Sequence, residues 1–174
     1  MTSPSSALRD EQQQQQRNKD IVSKLFEALN EHDLERAGEL LSSSNNYSFH
    51  LSGLPPLDQD GRKQVFSVAV NAFPDFHHNM IDVVAEKDKV AVRYIVTGTH
   101  KGEFQGIPPT GKQVSFEGTE FFTIKDGMIA EERVFVDVMG WMQQLGAIPN
   151  SAPSQPRSSS SSLSATNTST KTGS

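Results

Sequence analysis

Residues 113–136 read QVSFEGTEFFTIKDGMIAEERVFV, and the pattern of this stretch decides the fold. Apolar residues recur with a period of two on both sides of the polar segment KDG, as they do in strands that bury one face. Asp-Gly between two such runs is a strong signal for a tight turn. The stretch therefore predicts two long antiparallel strands, at 113–124 and 128–136, joined as a hairpin.

The segments before this hairpin predict more strands, with helices in front of them. Alternating residues predict a short strand at 47–51 and longer strands at 76–85 and 90–99. Helical spacing predicts a first helix whose apolar stripe begins at Ile21, a short second helix capped by Asp33, and a third helix from about Arg62 to Phe73. A last helix is expected at about 140–145. Helices followed by a meander of antiparallel strands predict an α+β fold.

Composition divides the chain of 174 residues into one domain and two polar ends. We expect a single domain over 17–149, because the apolar residues are concentrated there. Residues 1–16, which include a run of Gln, are expected to be a flexible segment without an apolar face. Residues 150–174 consist mainly of Ser, Thr and Pro and predict a disordered tail.

Charge and cysteine content exclude several classes of protein. A net charge of -5 argues against a nucleic-acid partner, which would need a basic face. With no cysteine, the chain has no disulfide and no thiolate metal site. The sequence shows no signal peptide and no apolar run of membrane-spanning length. These features predict a cytoplasmic protein without membrane or nucleic-acid partners.

The segment GIPPTGK at 106–112 matches most of the phosphate-binding loop but does not predict a nucleotide site. Pro108 and Pro109 have no backbone N–H to offer a phosphate, and Gln113 stands where Ser or Thr would hold magnesium. The residues after Lys112 predict a strand, whereas a phosphate loop opens into a helix. We therefore interpret the segment as a rigid connection between two strands.

Several linked motifs resemble the SnoaL-like polyketide cyclases. They are FPDF at 73–76, GTHKGEFQGIPPTGK at 98–112, KDGMI at 125–129 and MQQLG at 142–146, in the family's order and spacing. The resemblance implies a fold like that of nuclear transport factor two, a cone-shaped curved antiparallel sheet packed by N-terminal helices around one pocket. It also implies homodimers or higher oligomers that share the sheet's outer face.

The resemblance further implies an intramolecular aldol condensation on an ester-bearing polycyclic intermediate, with neither metal nor cofactor. In those cyclases a His and an Asp face the pocket from adjacent strands. Counted from the DG turn, the position of the His falls on Glu120 and that of the catalytic Asp on Val134. The family's key acid is therefore missing from this chain.

Two glutamates in the hairpin are the candidate catalytic residues. A three-residue turn at 125–127 would place Glu120 directly opposite Glu132 on an otherwise apolar face. Desolvation and mutual repulsion would raise the pKa of such a pair and suit it to acid-base chemistry. Alternatives stay open: the glutamates could pair with an Arg such as Arg93, or the register could slip by one residue so that both point to solvent. A two-residue turn would instead oppose Glu120 to Arg133 as a cross-strand ion pair.

Further residues are candidates for the pocket wall, although core packing explains any one of them equally well. His100 belongs to the family-like motif GTHKG and could either face the pocket or cap its strand. His77 and His78 are strand neighbours that point to opposite faces, so they do not predict a metal site. The expected pocket residues are Tyr47, Phe49, Phe66, Phe73, His100, Phe122, Val134, Val136 and Trp141.

The leading hypothesis is a SnoaL-like, cofactor-independent protein that binds a hydrophobic carbonyl compound. If it is an enzyme, Glu120 and Glu132 would move a proton in an aldol-type reaction. The alternative is a non-catalytic binding or assembly module that kept the pocket after losing the acid at position 134.

Overall fold

The computed structural model describes residues 4–149, which form helices packed on one five-stranded sheet. The sheet has the order β1-β5-β4-β3-β2, with β1 parallel to β5 and every other pair antiparallel. It is curved and open, which confirms the predicted α+β fold. The elements are α1 (Pro4–Asn30), α2 (Leu34–Gly38), a 3-10 turn (Ser44–Asn46), β1 (Ser48–Leu51), α3 (Gln59–Ala72), β2 (His77–Glu86), β3 (Lys89–Thr99), β4 (Gln113–Lys125), β5 (Met128–Val136) and α4 (Val138–Leu145).

Aspartates set the start of three helices. Asp33, Asp58 and Asp137 each accept a hydrogen bond from a backbone N–H in the first turn of α2, α3 and α4. Such caps satisfy N–H groups that have no partner within the helix. Helix α3 therefore begins at Gln59, three residues before the predicted start, because Asp58 caps it.

The structure describes most of the N-terminal segment of the chain but not the C-terminal tail. Residues 150–174, the expected disordered tail, lie outside the described residues. The Gln run lies within α1, whose first half is mostly exposed. Since a helical backbone alone does not measure mobility, the flexibility expected for 1–16 stays a prediction.

The core lies between the helices and the inner face of the sheet. The predicted stripe of α1 is buried there, with Val22 and Leu25 fully inaccessible to solvent. It packs on side chains of alternating strand positions such as Val90, Val92 and Phe122. Within residues 4–149, no helix is both long and apolar enough to cross a membrane.

The hairpin of β4 and β5 differs from its predicted register. The turn has two residues, Asp126 (φ 52°) and Gly127 (φ 76°), so the three-residue turn was wrong. Ile124 pairs with Ile129, and the register then shifts by one residue at a bulge that includes Ala130. A bulge adds one residue to one strand and so reverses which residues point inward.

The bulge decides how the two candidate glutamates meet. Glu120 pairs with Val134 rather than with Glu132 or Arg133, and Glu132 pairs with Phe122. The two glutamates are therefore diagonal neighbours on the inner face, not direct partners. Without the bulge, the two-residue turn would have turned Arg133 inward, which would bury a charge in place of Val134.

Candidate active site

A cavity of about 620 Å³ opens between the inner face of the sheet, helix α3 and helix α4. Its wall is mainly apolar, and Glu120 is the one carboxyl side chain in the wall among the described residues. A concave apolar cavity with a few polar groups is the usual form of a small-molecule site. Of the predicted site residues, the wall includes Phe49, Phe66, Glu120, Val134, Val136 and Trp141.

The other predicted residues lie behind this wall. Phe122 packs against Phe26 in the core, with ring centroids 6.2 Å apart. Phe73 stacks on His100 at 5.0 Å. Tyr47 and Glu132 are buried and are joined by a hydrogen bond. None of these side chains is part of the cavity wall within residues 4–149.

Glu132 forms a buried ion pair with helix α3. Its Oε2 accepts a hydrogen bond from Arg62 Nε at 2.9 Å, and its Oε1 accepts one from the Tyr47 hydroxyl at 2.8 Å. The side chains of Arg62 and Glu132 are 2% and 0% exposed. Both carboxylate oxygens thus have strong donors, as a buried charge requires. Arg93, a partner that the sequence left open as an alternative, instead lies on the exposed face with Asp82.

The environment of Arg62 keeps this ion pair charged. Burial by itself would lower the pKa of Arg62, but the adjacent Glu132 carboxylate outweighs that effect and the pKa is raised. The guanidinium also lies over the ring of Phe66, 4.6 Å from its centroid. Burial, followed by the charge of Glu132, raises the pKa of the Tyr47 hydroxyl, which therefore stays a donor.

Within the described part of the chain, Glu120 lacks the hydrogen-bond donors that surround Glu132. It is 3% exposed, and its Oε1 has no hydrogen-bond partner among residues 4–149. Burial raises the pKa of its carboxyl well above the ordinary value, and the nearby negative charge of Glu132 raises it further. The geometry thus favours a neutral acid in the cavity wall with a compensated anion behind it.

Tyr94 covers the middle of the cavity floor, and a glycine makes room for it. Tyr94 pairs across the strands with Gly118, and a Cβ on Gly118 would lie 2.4 Å from the ring. The ring therefore lies flat over the backbone of β4, where no larger residue fits. Burial and the two glutamates raise the pKa of Tyr94 well above its usual range, which keeps the phenol neutral.

His78 is a cavity residue that the sequence reading did not select. Its ring contacts Phe26, Phe66, Phe76 and Tyr94, with centroid distances of 5.0 to 6.2 Å. Burial lowers the pKa of this imidazole to about 3, so that it is neutral at physiological pH. His77 is exposed on the other face, as the strand alternation predicted.

The GIPPTGK segment forms part of a loop that reaches the cavity rim. Phe104 and Gln105 of this loop line the cavity. His100 holds the loop closed, because its Nδ1 lies 3.0 Å from the Thr110 hydroxyl and accepts the Thr110 backbone N–H at 3.3 Å. The segment therefore has a structural role at the rim, and His100 caps its strand.

Two residues of the site carried a readable signal that was missed. Arg62 precedes Val65 and Phe66 by three and four residues, so it lies on the same face of α3 as their apolar stripe. This position predicts that its side chain is buried. Tyr94 alternates with the inward-facing Val92 and Val96. Among the described residues, no three His, Asp or Glu side chains are grouped as metal ligands would be.

Comparison with protein families identifies the chain's relatives. The model of the SnoaL-like polyketide cyclase family matches residues 19–145. The chain belongs to this family. A curated relative is nogalonic acid methyl ester cyclase of Streptomyces nogalater, 36% identical over 52 residues. That match covers 30% of this chain and 39% of the relative, well under two thirds of its length.

Solved structures of SnoaL-like proteins share the fold over most of their length. AclR from Streptomyces galilaeus, a proposed hydroxylase, is 26% identical with a TM-score of 0.73, covering 80% of this chain and 87% of its own. IdmH from Streptomyces antibioticus, a proposed polyketide cyclase, is 32% identical with a TM-score of 0.67, covering 74% and 98%. Since these two neighbours carry different proposed activities, the fold does not decide the reaction.

Proposed function

We propose that this SnoaL-like protein binds an uncharged, largely apolar carbonyl compound and moves a proton between the carbonyl oxygen and the adjacent carbon. Glu120 is the acid and base. The observation that carries the proposal is the position of Glu120 in the cavity wall, buried and without a compensating cation of its own. A carboxyl kept neutral in this way can donate a hydrogen bond to a carbonyl at neutral pH.

A single carboxyl is sufficient for the proton balance of an aldol-type reaction. The proton of Glu120 passes to the carbonyl oxygen, and the resulting carboxylate takes the proton from the neighbouring carbon. The enol carbon then attacks a second carbonyl group of the same ligand, and the C=C and C=O π bonds open as the new carbon–carbon bond forms. Glu120 gives its proton to the new alkoxide, and the resulting carboxylate takes the proton of the former enol oxygen, so Glu120 ends protonated as it began. Glu132 lies behind the wall, so we assign it a positioning role: its negative charge, held by Arg62, favours the protonated form of Glu120.

The charge of the cavity wall limits the class of ligand. Among the described residues the wall contains no Lys or Arg. A carboxylate ligand would lose its hydration there without gaining a cation, which is unfavourable. We therefore expect a ketone or an ester. The name of the curated relative, which specifies a methyl ester, agrees with this expectation.

The alternative, a binding module without catalysis, is favoured by one observation. Val134, at the position of the family's catalytic Asp, faces Glu120 across the strands and offers no second acid. Both functions predict binding, and only the first predicts proton transfer.

Exchange of a carbon-bound proton separates the two. We would incubate 2-tetralone, an apolar two-ring ketone, in D₂O with the protein and follow deuterium uptake next to the carbonyl by mass spectrometry. We expect uptake above the buffer rate in the wild type, a loss of at least tenfold in Glu120→Gln, and no change in Glu117→Gln, a glutamate exposed on the same strand. Binding of 2-tetralone without enhanced exchange would favour the binding module.

We also propose a homodimer that shares the outer face of the sheet. Phe121 and Phe135 on this face are 48% and 52% exposed, with their rings in edge contact at 6.3 Å. Exposed aromatic pairs on an open sheet indicate an interaction surface. Sedimentation velocity is expected to show a dimer that dissociates in Phe121→Asp. A wild-type monomer at micromolar concentration would contradict the proposal.

A further inference from the structure

Three side chains of the cavity wall have a buried polar atom that lacks a hydrogen-bond partner within the described part of the chain. These atoms are Glu120 Oε1, His78 Nδ1 and Trp141 Nε1. Buried polar atoms in folded proteins nearly always have a partner. Two further such atoms, Arg62 Nη2 and His100 Nε2, lie outside the cavity wall. The three atoms of the wall surround one cavity and indicate where a ligand makes its polar contacts.

Trp141 is fixed in place by aromatic stacking. Its ring lies parallel to Phe116 at 4.4 Å and to Phe104 at 4.5 Å. It is 8% exposed and belongs to helix α4, which Asp137 caps. Because the indole is enclosed in this way, it cannot turn its N–H towards another protein group.

His78 is also fixed in place, by aromatic contacts to its ring and by hydrogen bonds to its backbone. Four aromatic rings surround the imidazole, which is 7% exposed. Asn30 binds its backbone on both sides: His78 N–H donates to Asn30 Oδ1 at 2.7 Å, and Asn30 Nδ2 donates to the His78 carbonyl at 2.9 Å. The imidazole is thus presented to the cavity on a fixed strand.

The strand register places these two residues away from Glu120. His78 pairs with Val96, and Val96 pairs with Phe116, on which Trp141 stacks. Glu120 follows Phe116 by four residues on β4, a distance of about 13 Å between their Cα atoms at about 3.3 Å per residue. His78 and Trp141 therefore lie towards one end of the sheet face that lines the cavity and Glu120 towards the other. The Tyr94 ring lies between them.

We propose that Trp141 and His78 form a second polar contact for the ligand, which we name the distal contact. An indole N–H only donates, so the distal contact takes an acceptor oxygen such as an ether, hydroxyl or carbonyl. The ligand is then an uncharged ring compound with oxygen at both ends, and the distal contact sets which end meets Glu120. This last step rests on the proposed function, since that function places a carbonyl at Glu120.

Two probes of equal size test the distal contact. The first is 6-methoxy-2-acetonaphthone, a rigid two-ring compound with a carbonyl at one end and an ether oxygen at the other. The second, 6-ethyl-2-acetonaphthone, replaces the ether oxygen with a methylene group. Binding of each probe would be measured by equilibrium dialysis to the wild type, to Trp141→Phe, which keeps an aromatic ring for stacking, and to His78→Phe. Met139→Leu, at an exposed position of α4 outside the cavity wall, is the control.

We expect the wild type and Met139→Leu to prefer the methoxy probe by about fivefold, the effect of one net hydrogen bond of about 1 kcal/mol. Trp141→Phe should weaken binding of the methoxy probe by about fivefold and leave the ethyl probe within about twofold. Equal losses for both probes, or none, would overturn the proposal. Should Trp141→Phe not fold by circular dichroism, the ratio of the two affinities in His78→Phe decides in the same way.

This experiment is independent of catalysis because it measures equilibrium binding. If Glu120→Gln leaves proton exchange intact while Trp141→Phe abolishes the preference for the methoxy probe, the proposed function fails and the distal contact stands. If Glu120→Gln abolishes exchange but the preference survives in both distal variants, the distal contact fails alone.

Discussion

Removal of Arg62 tests whether the buried ion pair is the electrostatic support of the site. Arg62 Nε lies 2.9 Å from Glu132 Oε2, with both side chains shielded from water. Arg93 and Asp82 provide a matched pair at 2.8 Å, but their side chains are 44% and 62% exposed. The two pairs differ mainly in burial and hardly in distance, so their comparison measures chiefly the effect of the medium. Arg93 also has a second carboxylate, Glu117, at 3.5 Å, and Arg62 lies over an aromatic ring.

The expected magnitudes follow from these distances. At an effective dielectric constant of about 20, Coulomb's law gives an attraction of about 6 kcal/mol for the buried pair, against about 1.5 kcal/mol for the exposed pair in bulk water. Part of the attraction only offsets the cost of desolvation. Breaking a buried pair typically lowers the free energy of unfolding by about 3–5 kcal/mol, because one charge remains buried, whereas breaking an exposed pair costs at most about 1 kcal/mol.

Urea unfolding at pH 7, followed by circular dichroism, measures both effects. We expect Arg62→Met to lose about 3–5 kcal/mol and Arg93→Met less than about 1 kcal/mol. The double variant Arg62→Met, Glu132→Gln should recover at least about 2 kcal/mol, since it no longer buries an uncompensated charge. Equal losses for the two single variants, or no recovery in the double variant, would refute the reasoning.

Two further predictions concern Glu120 and the floor of the cavity. The folded protein holds the proton of Glu120 more tightly than the unfolded chain, in which a glutamate has a pKa of about 4.3. Stability is therefore lost as the pH rises above about 4.3, and the advantage of Glu120→Gln over the wild type in thermal melts should grow with pH. An advantage that is constant with pH would contradict this. Gly118→Ala should lose about 1–3 kcal/mol in urea unfolding because its Cβ would strike Tyr94. Gly38→Ala, with no atom within 4 Å of the added Cβ, should change by less than about 1 kcal/mol, and equal effects of both would contradict the contact.

Most elements of the fold were readable from the sequence because the patterns that define them are local. The strand Met128–Val136 has the predicted bounds, and the other long strands differ by one residue at one end or, in β2, at both. Helix α3 begins three residues before its predicted start, because the apolar stripe that predicts it does not include the turn capped by Asp58. The hairpin register was not readable, since the turn residues do not reveal the bulge at Ala130 that shifts the pairing.

The site was only partly readable for a similar reason. Periodicity placed Glu120 and Glu132 on the inner face, and the structure agrees. It could not show that Glu132 would meet Arg62 and Tyr47, which are 70 and 85 residues away in the chain. Contacts of this range depend on how α3 packs over the sheet. The different roles of the two glutamates therefore followed only from the three-dimensional structure.

The protonation of Glu120 is the most direct test of the account, because both the proposed chemistry and the pH dependence of stability require it. Carbon-13 spectra of protein labelled at the glutamate carboxyl would be recorded between pH 4 and pH 9. We predict one carboxyl signal that keeps the shift of a protonated acid at pH 7 and is absent from Glu120→Gln. If every glutamate signal of the wild type moved to the carboxylate position by pH 6, the claim that the cavity holds a neutral acid would be contradicted.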